Sequence, residues 1–288
     1  MPTTQDPSRP YDLVVLGHVT RDLVRGEERL GGAAAFAALA AASFGLKSGL
    51  VTAGPPDLPL FAPLFQSPNL TVVMKPCHEP TTFELDYTGP KRRVRLVSRA
   101  PNIAPADVPA EMRVAPLAYI GPVCGECGSE VAGILEARSI IVGAQGWLRG
   151  ATADGTIVPA LTLDAIAPPD GIFTLSLSEL DHPDAEALAK GFAEKIPVVA
   201  VTRGARGATL YAEGTTFEVP ASPAEEKDPT GAGDVFGLVL GLAMHHGVPL
   251  FDAGRLATQA AARVVEGPGM GRLADFASSP EWQEILAT

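Results

Sequence analysis

Asp228-Pro229-Thr230-Gly231-Ala232-Gly233-Asp234 leads directly into Val235-Phe236-Gly237-Leu238-Val239-Leu240. A loop of small residues thus runs into an apolar helical pattern. Val235, Phe236, Val239, Leu240, Ala243 and Met244 share one face at the helical period. Pro229 pushes the residue before it toward extended geometry, so the helix is expected to open between Gly231 and Asp234. Its first amides have no intrahelical partner, and the macrodipole adds partial positive charge there. That makes a seat for an anion such as a phosphate. Glycines at 231 and 233 let a ligand come close to the backbone.

Asp234 admits two readings. A carboxylate in the first turn can cap the helix or complement its dipole. Beside a bound phosphate it can instead take a proton from a hydroxyl that attacks the phosphorus. The Gly-x-x-x-x-Gly-Lys-Ser/Thr loop of the P-loop enzymes does not occur in the chain.

The stretch Asp228-x-Thr230-Gly231-Ala232-Gly233-Asp234 resembles the signature of the ribokinase-like (PfkB) sugar kinases. The resemblance implies that Asp234 is the catalytic base and that the amides of Gly231, Ala232 and Gly233 form an anion hole for the transferred phosphoryl group. It further implies ATP as donor, Mg2+ on the phosphates, and a monovalent-cation (K+) site to which Asp228 contributes.

The composition is compatible with this. The chain has 288 residues, 46% hydrophobic and 19% charged, enough for one large domain or one domain with a small appendage. A formal net charge of −11 with no dense Lys/Arg run argues against nucleic acid and anionic membrane as partners. The start Met1-Pro2-Thr3-Thr4-Gln5-Asp6 lacks a basic-then-apolar leader pattern, and the apolar run Ala33–Ala42 is too short to span a bilayer. A cytoplasmic protein is expected. The cysteines are Cys77, Cys124 and Cys127, an odd number that argues against a disulfide framework. Cys124-x-x-Cys127 is one pair where a structural zinc site needs two, so all three are read as free thiols.

Along the chain, Tyr11–Leu16 reads as a buried strand ending at Gly17. Asp22 follows, close to where open α/β sheets place ligands. The resemblance assigns Asp22 to substrate hydroxyls. Gly31-Gly32 opens a nearly all-apolar helix from Ala33 to Ser43 that must be buried. The family often shows Gly-Gly-x-x-x-Asn here, with the Asn on the sugar. This chain has Phe36 at that place, an aromatic face that argues against ribose or fructose phosphate as acceptor. From Leu70 to Val97 the residues alternate like strands wetted on one face. The resemblance makes this a small β lid, spanning about 18–30 and 71–99, over the acceptor. Of Arg92, Arg93 and Arg95, Arg93 is expected to reach substrate and the other two to be edge-strand charges.

Ser139–Gly143 reads as a strand leading into Gln145-Gly146-Trp147-Leu148-Arg149. That run is similar to one in inositol- and nucleoside-type members, which would turn Gln145 and Arg149 to the cleft. A loop packed by Trp147 is the alternative. Ser178-x-x-Asp181 is similar to the family's Asn-x-x-Glu, through which Asp181 would hold Mg2+ by way of water. Helix capping explains Ser178 and Asp181 equally well. Thr202-x-Gly204-x-x-Gly207 after a strand resembles the nucleotide-phosphate loop, joined there by Gly231 and Gly233.

Strands alternating with helices, with a β-rich interruption near 71–97, imply an α/β fold with a mostly parallel sheet covered on both faces and a small lid. The expected protein is one ribokinase-like domain over 1–288. It would phosphorylate a sugar or a cyclic polyol of the myo-inositol kind with ATP. A nucleoside kinase and a non-catalytic sugar or nucleotide sensor are the alternatives, and the lid could also serve as a homodimer surface. A nicotinamide-dependent oxidoreductase would need Gly-x-Gly-x-x-Gly after the first strand, which Gly17-His18-Val19 does not supply.

Overall fold

Leu13–Leu16 (β1) is apolar and buried at every position, as a strand covered on both faces must be. Its residues alternate between two cores. Leu13 and Val15 belong to the cluster that includes the Ala-rich helix, and Val14 and Leu16 to the cluster on the opposite face. In the computed structural model, which describes residues 10–86, 88, 93–160, 172–176 and 185–287, β1 lies inside a nine-stranded sheet.

The parallel strands of that sheet are β1, β4 (Ser48–Gly54), β5 (Leu70–Pro76), β8 (Leu117–Ile120), β9 (Ser139–Gly143), β12 (Ile172–Ser176) and β13 (Val198–Thr202). An antiparallel hairpin, β14 (Ala208–Ala212) and β15 (Thr215–Val219), extends one edge. The order across the sheet is β15-β14-β13-β12-β9-β8-β1-β4-β5. One face carries α1 (Ala33–Ser43), α5 (Ala232–His245), α6 (Leu250–Val265), α7 (Leu273–Ala277) and α8 (Pro280–Leu286). The other carries α3 (Ser129–Ala132) and α4 (Ala185–Ala193). The remaining short helix, α2 (Ala62–Gln66), precedes β5. The short α3 ends where the chain leaves the helix at Gly133.

A second sheet has the order β3-β2-β6-β7, built from β2 (Thr20–Val24), β3 (Glu27–Gly31), β6 (Thr81–Asp86) and β7 (Arg93–Ser98). The β2–β3 turn is Arg25-Gly26 with φ of 52° and 84°. Positive φ at both central residues matches the twist of a two-residue hairpin. Residues 71–76, expected to lie in the lid, instead form β5 at the edge of the main sheet, in parallel register with β4. Their alternation has a physical reason: an edge strand is half exposed, so it reads like a strand of a one-sided sheet. A small hairpin, β10 (Arg149–Ala151) with β11 (Ile157–Pro159), reaches the outer strand of this second sheet. Leu96 N donates to Gly155 O at 2.8 Å, and Arg95 bridges Thr156.

Candidate active site

Helix α5 runs antiparallel to the central strands. Its C-terminal His245 pairs Nδ1 with Ser139 Oγ at the start of β9, 2.9 Å apart. Its N-terminal Asp234 lies by Tyr119 near the end of β8. The helix therefore opens at the carboxyl edge of the sheet, where open α/β folds bind ligands. Gly231 is its N-cap, in the left-handed region at φ 81°, and among the described residues no side chain caps it. The preceding loop is held by its own bonds. Thr230 N donates to Asp228 Oδ1 at 3.0 Å, and Lys227 N and Asp228 N donate to Val265 O at the end of α6. Gly233 is exposed, and Asp234 is half-buried on the same first turn. An uncapped helix start and a carboxylate thus share one turn. That arrangement can hold an anion and accept a proton beside it.

Phe36 supports this turn from below. It is buried, and a Cβ built at Gly231 would lie 2.4 Å from its ring. The aromatic residue at the family's Asn position therefore packs on the anion loop.

The double glycine brings α1 against the lid junction. A Cβ on Gly31 would meet Asp22 Oδ2 at 2.2 Å, and one on Gly32 would meet His18 O at 2.4 Å. Asp22 is buried, with Thr20 Oγ1 donating to its Oδ1 at 2.7 Å. Register then sorts the lid side chains. Asp22 pairs with Arg29 and with Phe83, and Phe83 pairs with Leu96, so these share one face. Arg93 pairs with Asp86 and lies on the opposite face, largely exposed and 4.0 Å from the Asp86 carboxylate. It does not share a face with Asp22.

Arg29 does join it. Its guanidinium reaches Asp228 Oδ2 at 3.7 Å and Glu27 at 3.1 Å. This ion pair turns the Asp22 face of the lid toward the anion loop. It also bears on the expected K+ site, since one Asp228 oxygen caps Thr230 and the other faces a guanidinium. A cation there would compete with Arg29. The sequence signal for Arg29 was the hairpin itself, because a two-residue turn at Arg25-Gly26 puts position 29 opposite position 22.

Gln145 and Trp147 lie on the turn after β9. Gly146 packs so closely that a Cβ would fall 2.3 Å from the backbone of Pro122, and Trp147 Nε1 donates to Cys127 O at 2.5 Å. Gln145 is half-buried on that turn, and Arg149 begins β10. On the donor side, Thr202 ends β13. Gly204 and Gly207 have φ of 57° and 84°, and a Cβ on Gly207 would meet Val219 O at 2.1 Å. Arg203 is occupied by Glu186 and Glu218 and bonds Thr209. Asp181, the expected Mg2+ residue, lies outside the described residues, as do Ser178 and Arg92.

A polar knot ties the lid crossings together. His18 Nδ1 pairs with Thr81 Oγ1 at 2.7 Å and Nε2 with Pro101 O at 2.9 Å. Thr81 Oγ1 accepts from Ala100 N, so its proton goes to Nδ1, and Nε2 carries the other hydrogen. Buried Glu126 accepts from the amides of His18, Val123 and Cys124 at 2.8–3.0 Å. Burial holds the His18 imidazole below its ordinary value, against the opposing pull of the Glu126 charge. His18, Cys124 and Glu126 are near enough to suggest a metal centre. Yet both ring nitrogens and both carboxylate oxygens are already bonded. Burial and the Glu126 charge also push the Cys124 thiol up to about 12. Cys127 is raised as well, first by burial. These thiols are packing groups.

Sequence reading missed Tyr119. It lies in the middle of a buried strand, where an aromatic residue looks like core.

The fold is that of the ribokinase-like proteins. A pyrophosphate-dependent kinase of the ribokinase family, solved with a pyrophosphate analogue and myo-inositol, superposes with a TM-score of 0.76 at 17% identity, over 92% of this chain and 98% of that one. The profile of the pfkB family carbohydrate kinases matches residues 166–275. An inositol 3-kinase of Zea mays is 30% identical over 58% of this chain and 48% of its own length. A cytidine kinase of Thermococcus kodakarensis is 28% identical over 88% of this chain and 96% of its own length. The chain thus spans about half the length of the inositol 3-kinases it matches. Among the described residues, no helix is long and apolar enough to cross a membrane.

Proposed function

We propose that this chain is a cytoplasmic phosphotransferase that moves the terminal phosphoryl group of ATP to a hydroxyl of a small sugar or a cyclic polyol of the myo-inositol kind. The observation that carries the reading is Asp234 on the first turn of α5, whose N-cap is the left-handed Gly231. In the reaction the acceptor oxygen bonds to the γ-phosphorus and its proton passes to Asp234. The bond from that phosphorus to the bridging oxygen breaks, and the leaving diphosphate keeps the electron pair. Amides of Gly231 to Asp234 face the charge that grows on the phosphoryl oxygens. Asp22 holds acceptor hydroxyls from the lid side, and Gln145 and Arg149 approach from the turn after β9. Thr202, Gly204 and Gly207 lie under the donor phosphates. Mg2+ bound with the donor would offset phosphate charge.

A pyrophosphate donor is the second reading. It is favoured by the structural likeness to a pyrophosphate-dependent kinase. A nucleoside acceptor is favoured by the cytidine kinase relative.

The test is turnover with ATP or pyrophosphate, Mg2+ and K+ across sugars, inositols and nucleosides, with Asp234→Asn beside the wild type. Acceptor-dependent turnover reduced by ~10²–10⁴ in the variant is expected. Donor binding without turnover on any acceptor would favour a sensor instead.

A further inference from the structure

We propose that the Tyr119 hydroxyl is a positioning group for Asp234, holding one carboxylate oxygen and so fixing how the carboxylate meets the acceptor hydroxyl. The inference rests on the kinase reading above, because it gives that reading's base its orientation. Tyr119 is fully buried in β8, and among the described residues its hydroxyl bonds Asp234 Oδ1, at 3.5 Å. A buried hydroxyl left unpaired is costly, so the phenol is committed to this carboxylate.

The protein makes room for the ring at two strand ends. A Cβ on Gly121, two residues on, would lie 2.7 Å from Tyr119 Cε1. A Cβ on Gly143, the last residue of β9, would lie 2.6 Å from the hydroxyl oxygen. Any side chain at 143 would therefore displace the hydroxyl itself. A phenylalanine would fill the same slot and leave only the contact to Asp234 unmade. The hydroxyl also remains a donor at working pH. Burial first, then the Asp234 charge and hydrogen bond, push its ionisation well up. A donor that cannot be lost, aimed at Oδ1, fixes how the carboxylate is turned when it takes the acceptor proton.

Two measurements on the full chain test this. In protein labelled at tyrosine Cζ, the Tyr119 signal is assigned by its loss in Tyr119→Phe and followed by NMR through the carboxylate range. A titration step in wild type that vanishes in Asp234→Asn is expected. It needs no substrate, so it stands apart from the kinase reading. A Tyr119 signal that ignores Asp234 overturns the inference even if the chain proves to be a kinase. In steady-state kinetics, Tyr119→Phe is expected to lower kcat about tenfold with KM for donor and acceptor unchanged. The acidic limb of the kcat profile should move to higher pH, because the carboxylate has lost a donor. Gly143→Ala should move that limb the same way while keeping the tyrosine. An unchanged limb in both variants, whatever their stability, overturns the proposal.

Discussion

The anion loop and the lid meet across one cleft, but they are specified in different ways. Residues 228–234 are fixed by bonds that stay close in sequence or tie to one helix end, from the Asp228 cap on Thr230 to the left-handed Gly231. The lid is fixed by pairing between segments far apart, with β2 of residues 20–24 lying between β3 and β6. A local motif carries its geometry wherever it occurs. A lid strand has no fixed inner face until its register is known, because a shift of one residue turns every side chain over.

The largest effect is expected where the local motif is broken. Gly231→Ala must hold a β-carbon at positive φ, 2.4 Å from the buried Phe36 ring. Overpacking and backbone strain together should cost about 2–4 kcal/mol. Denaturant unfolding would measure it. Adding Phe36→Leu should recover the overpacking part but not the strain. If the double variant gains nothing over Gly231→Ala, Phe36 is not what the loop rests on.

That contrast also explains what was legible in the sequence. Asp228–Asp234 could be read because its chemistry is contiguous, and the helix begins at Ala232, inside the expected interval. The apolar run at 13–16 likewise showed a strand, because burial pattern is a local property. What the sequence did not show required knowledge of pairing. β5 alternates because it is an edge, not because it is a lid strand. Arg93 and Arg29 are both arginines on alternating strands, and only register puts Arg29 beside Asp22. Tyr119 meets Asp234 across 115 positions of sequence. No spacing rule links them, and the glycines that open its slot read as ordinary strand ends.

His18 sits where the two regions join, so its removal tests both at once. Its ring bonds the start of β6 and the chain leaving the lid, through Thr81 and Pro101. Replacing it with glutamine should cost about 1–3 kcal/mol, the scale of buried bonds left unmade. The pH dependence has a definite sign. Folding holds the imidazole below its unfolded value, so the unfolded chain binds the proton first. Wild-type stability should therefore fall as pH drops through about 6.5, the unfolded imidazole value. His245 and His246 are lowered too and add slope of the same sign. The slope that disappears in His18→Gln is the part belonging to the knot. A slope identical in the two proteins would place the acid sensitivity elsewhere.

The smallest effect is the most direct test of which lid face looks inward. Arg29 and Arg93 are both solvent-accessible arginines, Arg29 lying 3.1 Å from Glu27 and 3.7 Å from Asp228 and Arg93 4.0 Å from Asp86. Exposed ion pairs contribute little to stability, so neither Arg29→Ala nor Arg93→Ala should shift unfolding measurably. They should separate in kinetics. Arg29 shares a face with Asp22 and touches the first residue of the anion loop, so its loss removes a lid-to-loop contact. KM should rise by no more than about fivefold, the equivalent of one good surface pair. Salt should weaken wild-type binding toward the Arg29→Ala value, because the contact is screened. Arg93→Ala should match wild type at every ionic strength. Equal KM changes in both variants would mean that the lid turns over on closing and that the register of the open sheet does not describe the working one.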